Sequence, residues 1–109
     1  MEGSNKKRRL VCGDSSIRVE NRGGYVMRLL VTYESEGQSK VQNTGTYPVF
    51  QSRTITIPEG SRSVEIEAQA DVFVNSFRTI FKTSNQCPQT RCFVVWGTTF
   101  NSAWSEQCC

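Results

Sequence analysis

The feature that most limits what this chain can become is a two-residue hydrophobic period, repeated in short runs and interrupted by turn-forming residues. Ile17-Arg18-Val19-Glu20 alternates apolar and charged side chains. In the run that starts at Tyr25, Met27, Leu29, Val31 and Tyr33 share one side, opposite Val26, Arg28, Leu30 and Thr32. Ile55 and Ile57 alternate with polar neighbours, as do Val64, Ile66 and Ala68 with Glu65 and Glu67. Phe77, Thr79 and Phe81 are expected on one side of the run ending at Lys82, and residues 92–98 form the last clear run. Side chains at i and i+2 share a face in an extended strand, not in a helix. Residues 21–24, 59–61 and 87–92 carry the Gly, Asn and Pro of turns. Residues 36–46 read as a polar loop with at most a short edge strand, and residues 101–109 as a polar tail broken by Ala103 and Trp104. Short strands at frequent turns predict an all-β, two-layer antiparallel β-sandwich with almost no helix.

At 109 residues there is room for one such domain. Residues 1–14 are expected to be a basic, flexible arm, and residues 15–109 a single β-sandwich domain. Lys6, Lys7, Arg8 and Arg9 form one run; without them nine basic residues face ten acidic ones. A nucleic-acid binder concentrates positive charge on its folded body, so no nucleic-acid partner is expected. No 18-residue apolar window is present, so no membrane-spanning helix is expected. No apolar stretch of signal-peptide length follows the basic run, so a secretion signal is expected to have been removed or never to have existed.

Five cysteines, Cys12, Cys87, Cys92, Cys108 and Cys109, are dense for this length and point to an oxidising, secreted or extracellular setting. The chain has no histidine, which removes zinc sites of mixed Cys and His ligands and leaves no imidazole base for a cysteine nucleophile. A four-cysteine metal site would have to use the adjacent Cys108 and Cys109, an awkward chelate, so disulfides are the better reading. Spacing leaves the connectivity open. Cys87 with Cys92 would pin a turn; Cys12 with Cys108 or Cys109 would close nearly the whole domain. An odd count leaves one thiol over, available for a disulfide-linked dimer through the tail. Gly23-Gly24 lacks the strand-to-helix setting of a phosphate loop. No cofactor, metal or catalytic residue is expected, and the chain is read as a non-enzyme.

Three stretches in one order carry a family resemblance: Asn21-Arg22-Gly23-Gly24-Tyr25-Val26, then residues 53–68, then Val95-Trp96-Gly97-Thr98-Thr99-Phe100. Together they resemble the membrane-binding C-terminal domain of the cholesterol-dependent, thiol-activated cytolysins, over roughly residues 16–104. The resemblance implies a β-sandwich that meets membranes tip-first, with loops clustered at the tip. It implies that Thr99 and Phe100 stand where the family has a Thr-Leu pair that recognises sterol. It places residues 21–25 and 48–51 in further tip loops. The family's eleven-residue, Trp-rich loop ends in Arg; residues 70–78 match it but are two shorter, lack Trp and Cys, and keep only the final Arg78. That departure argues against lysis.

The chemistry of the same positions supports a tip site. A hydroxyl beside an apolar side chain, as in Thr98, Thr99 and Phe100, suits a lipid with one polar head on an apolar body. Gly24, Tyr25, Val49, Phe50, Phe73 and Arg78 complete the candidate ligand-binding set. Trp96, in a strand, reads as core. Trp104 either stacks on a sugar ring or covers the end of the sandwich. The expected partner is therefore a membrane lipid or sterol; the alternatives are a cell-surface glycan bound in lectin fashion, and a disulfide-linked extracellular structural role.

Overall fold

A computed structural model describes residues 15–73, 76–86 and 89–109. Eight strands build two four-stranded sheets packed face to face: β1 (Ser15–Asn21), β2 (Met27–Ser35), β3 (Gln38–Asn43), β4 (Ser52–Ile57), β5 (Arg62–Phe73), β6 (Ser76–Asn85), β7 (Arg91–Thr98) and β8 (Asn101–Gln107). One sheet has the order β4-β1-β7-β8, the other β3-β2-β5-β6. The expected β-sandwich is what forms. Its one departure from antiparallel pairing is β1 beside β7, which run parallel with Asn21 opposite Val95.

The alternating residues make the core. Ile17, Val19, Met27, Leu29, Val31, Ile55, Ile57, Val64, Ile66, Ala68 and Phe93 are all buried between the sheets. Each large aliphatic among them contributes roughly 1.5–3 kcal/mol by leaving water. The turns at residues 21–24 and 59–61 are crossovers from one sheet to the other, because β1 and β4 lie in the first sheet and β2 and β5 in the second.

Two expectations change, whereas residues 36–46 do hold a short edge strand, β3, joined to β2 by a two-residue turn with Ser35 opposite Gln38. Both turn residues, Glu36 and Gly37, have positive φ (54° and 76°), the geometry whose twist matches a hairpin. Residues 101–107 are a strand, β8, whose Trp104 faces inward opposite Val95. The polar composition of β8 hid it, because an edge strand has little of its surface to bury. Finally, Phe77, Thr79 and Phe81 do not share a side. Ala68 pairs with Phe81 and Gln69 with Thr79, so Ile80 is an extra residue bulged out of β6. The bulge reverses the alternation: Phe81 enters the core, while Phe77 lies under the Arg28 guanidinium, 3.5 Å from its ring centre.

Cys92 is bonded to Cys109, 17 residues on. The pairing of Cys87 with Cys92 is thus corrected: Cys92 already holds the tail, because Gln107 lies opposite Cys92 at the end of the β7–β8 ladder and carries Cys109 back to it. Closing a loop of this size is worth about 3 kcal/mol. Cys108 is exposed and free. Cys12 and Cys87, with the basic arm, lie outside the described residues.

Candidate functional site

Strand directions bring four connections to one end. β1, β3, β5 and β7 run toward it, and β2, β4, β6 and β8 leave it. The connections are residues 22–26, 44–51, 74–75 and 99–100. Backbone hydrogen bonds tie the first two connections to the ends of β1 and β7. Gly24 N–H donates to Gly97 O (2.9 Å), Arg22 N–H to Val95 O (2.8 Å), and Phe50 N–H to Asn21 O (2.6 Å).

Beneath the tip lies a polar cluster that sequence reasoning did not single out. Asn21 is fully buried. Its amide donates to the carbonyls of Tyr25 (2.8 Å) and Tyr47 (3.3 Å), and its Oδ1 accepts from Gly23 N–H (2.9 Å). Tyr47, also buried, donates its hydroxyl to Val19 O at 3.0 Å. Burial pushes the Tyr47 phenol well above its usual range, with the Arg53 charge opposing. The local signal was Asn21 two residues before Gly23, the spacing of a side chain that bonds its own turn. Glycine is required at 23 because a Cβ there would lie 2.3 Å from the Tyr25 ring.

Tyr25 belongs to this support and not to the exposed surface. It is 7% exposed and its hydroxyl is spent on Trp96 O, 3.2 Å away. Burial pushes its pKa up to about 12. Its place in the ligand-binding set is corrected accordingly: the ring fills the space under Gly23. Trp96 is corrected in the opposite sense. Val95 points into the core, so Trp96 must point out, and it is 42% exposed. Trp104 covers the side of the sandwich, stacked on Phe81 with ring centres 4.6 Å apart.

Above the cluster stand the apolar tips. Thr99 and Phe100 are the two turn residues between paired Thr98 and Asn101. The turn is tight because Gly97 (φ 94°) lets the returning strand approach: a Cβ there would lie 2.4 Å from Asn101 O. Phe100 is 73% exposed, Thr98 exposed and Thr99 half-buried. Val49 and Phe50 are the centre of a turn closed by Gln51 N–H to Pro48 O. Val49 is half-buried, but Phe50 is 81% exposed and sits at φ 71°. A side chain in that left-handed region costs roughly 1–2 kcal/mol, so Phe50 is both strained and water-facing. Gly24 is exposed beside this group. Phe73 ends β5, and its side chain lies outside the described residues. Arg78, on β6, reaches across to Phe100, its guanidinium carbon 5.8 Å from the ring centre.

The family described as the thiol-activated cytolysin beta sandwich domain matches residues 16–103 of this two-sheet sandwich. The chain belongs to that family. Overall sequence similarity finds no match among curated proteins. Solved cytolysins share the fold at low identity. Listeriolysin O is 21% identical over 86% of this chain, with a TM-score of 0.63, and suilysin from Streptococcus suis 18% over 88%, with 0.65. The membrane-binding domain of pneumolysin is 13% identical, with a TM-score of 0.63; the match covers 87% of this chain and 96% of that one. This chain spans 22% of listeriolysin O and 23% of suilysin, the length of one cytolysin domain.

Proposed function

We propose that this chain is a non-catalytic recognition module that docks on a membrane surface through its loop tip. The observation that carries the reading is the placement of Phe50 and Phe100, 81% and 73% exposed, at the same end of the sandwich. Most of each ring is left in water by the fold, and Phe50 is held in a strained backbone besides. Strain and exposed apolar area concentrate where a partner binds. Entering the apolar layer would recover roughly 1.5–3 kcal/mol per ring, enough for reversible binding. Thr99, beside Phe100, is placed to hydrogen-bond the polar head of a sterol or other lipid. Family membership supports a membrane ligand, and the Cys92–Cys109 disulfide fits an extracellular setting.

Flotation with phosphatidylcholine vesicles, with and without cholesterol, tests this when run beside thermal melts. Phe50→Ala and Phe100→Ala should lose flotation and keep their melting temperatures. Thr99→Val should lose about 0.5–1.5 kcal/mol of binding if its hydroxyl bonds the lipid. Unchanged flotation in both Phe variants, or none by the parent protein, overturns the proposal. Dye release is not expected from this chain alone, given the short 70–78 segment.

One observation favours a second reading. Trp96 presents its indole on the outer face of β7 opposite the small Ala103, a platform on which a sugar ring can stack. A glycan array with Trp96→Ala as the control separates this from lipid binding. Cys108 lies at the end opposite the tip, where a disulfide-linked dimer would leave both tips free; non-reducing electrophoresis reads that state.

A further inference from the structure

The tip half of the sandwich is rich in arginine. Arg22, Arg28, Arg53 and Arg78 lie there against two carboxylates, Glu20 and Asp71, while both lysines of the described residues, Lys40 and Lys82, lie farther from the tip. Three of these arginines are engaged. Arg22 is paired with Glu20 at 3.0 Å. Arg28 donates to Gln69 (2.7 Å) and covers Phe77. Arg53 donates to Ser52 O and to Gln51, both at 2.9 Å.

Arg78 differs. Among the described residues it forms no ion pair and donates no side-chain hydrogen bond, and its guanidinium faces the Phe100 ring. It is exposed. The carboxylate nearest in register, Asp71, pairs with Phe77 and so belongs to the other face of the ribbon. An unspent guanidinium therefore stands one ring behind the most exposed residue of the β7–β8 turn. At a bilayer surface, apolar side chains sit at the acyl boundary and cations among the headgroups just above it. A guanidinium is the side chain best shaped to take a phosphate with two parallel hydrogen bonds.

Resting on the membrane-docking reading above, we propose that the tip selects anionic phospholipid, with Arg78 binding the headgroup phosphate while Phe100 enters below it. The pair acts as a unit: the ring sets the depth and the guanidinium supplies the charge preference. Arg78 is thus a specificity-determining residue for lipid class, distinct in role from the Thr99 hydroxyl.

The test uses the full chain and two cholesterol-containing vesicle types, phosphatidylcholine and phosphatidylcholine with phosphatidylserine, each at low and physiological salt. The parent protein should bind the anionic vesicles more tightly, and salt should erode that preference. Arg78→Gln should lose about fivefold on anionic vesicles, the scale of one cation near a charged surface, and little on neutral ones. Arg78→Lys should recover only part of the loss, because an ammonium keeps the charge but not the paired hydrogen bonds. Phe100→Ala should lose binding to both vesicle types. Equal, salt-independent binding of the parent to both vesicles overturns this inference and leaves membrane docking intact; binding to neither overturns both. A charge preference unchanged in Arg78→Gln but abolished when Lys6, Lys7, Arg8 and Arg9 are replaced by Gln also overturns it, because the arm would then be the source.

Discussion

Two groups of aromatic side chains in this small domain are treated in opposite ways. Phe81, Phe93 and Trp104 pack on one another, with ring centres 4.6–6.0 Å apart, and close one side of the sandwich. Phe50 and Phe100 are left mostly uncovered and face water. The first group is explained by stability alone: stacked and tilted rings gain area burial and a further ~0.5–1.5 kcal/mol per pair. The second cannot be explained that way: its residues cluster at one end, while the first group has Phe81 and Phe93 buried and Trp104, 41% exposed, covering them from the side. The contrast teaches that residue type does not announce purpose. An aromatic ring is a structural or a functional element according to whether its own fold covers it.

The comparison can be broken first at its buried member. Phe93→Ala should destabilise the domain by about 3–5 kcal/mol, as large truncations in a packed core do, and denaturant unfolding measures it. A loss below 1 kcal/mol would mean that Trp104 and Phe81 collapse into the space, and that the cluster is not a close-packed unit.

A second, smaller effect separates the buried tyrosines from the tip. Tyr25 has its pKa raised to about 12 in the folded state against 10.0 unfolded, so the fold favours the protonated phenol. Its contribution is complete below pH 10 and is lost as pH rises toward 12, about 2–3 kcal/mol in all. Tyr47 is shifted in the same direction by its burial. Unfolding free energy measured from pH 9 to 12 should fall across this window, and Tyr25→Phe should flatten the fall. The tip phenylalanines do not titrate, so vesicle binding should decline only as the fold itself does.

The smallest effect has the opposite sign. Phe50→Gly relieves the left-handed backbone strain, offset in part by the freedom glycine adds to the unfolded chain. The melting temperature should stay level or rise, by up to about 1 kcal/mol in stability, while vesicle binding falls. A drop in stability would show that Phe50 packs on its loop more than its exposure indicates, and would move it into the first group.

Much of the fold was legible in the sequence because burial in a sandwich imposes a period that local sequence must obey. The inward faces around Ile17 and Val19, Met27 to Tyr33, Ile55 and Ile57, and Val64 to Ala68 follow from alternation alone. The end of the sandwich was legible in part: Phe100 and Phe50 stand exposed there with Thr99 half-buried between the strands, but Tyr25 turned inward, and the buried roles of Asn21 and Tyr47 went unnoticed. What alternation cannot encode is what happens when its phase changes or its burial is one-sided. The Ile80 bulge reverses β6, and only the pairing of Ala68 with Phe81 reveals it. The edge strand β8 carries too few apolar residues to declare itself, and it fixed both the inward turn of Trp104 and the partner of Cys92. Composition, period and turn chemistry therefore determined the sandwich and its inward faces. Tertiary structure decided which connections met at one end, which aromatics were covered, and which tip arginine was set against Phe100, because each of those depends on residues far apart in the chain arriving at the same place.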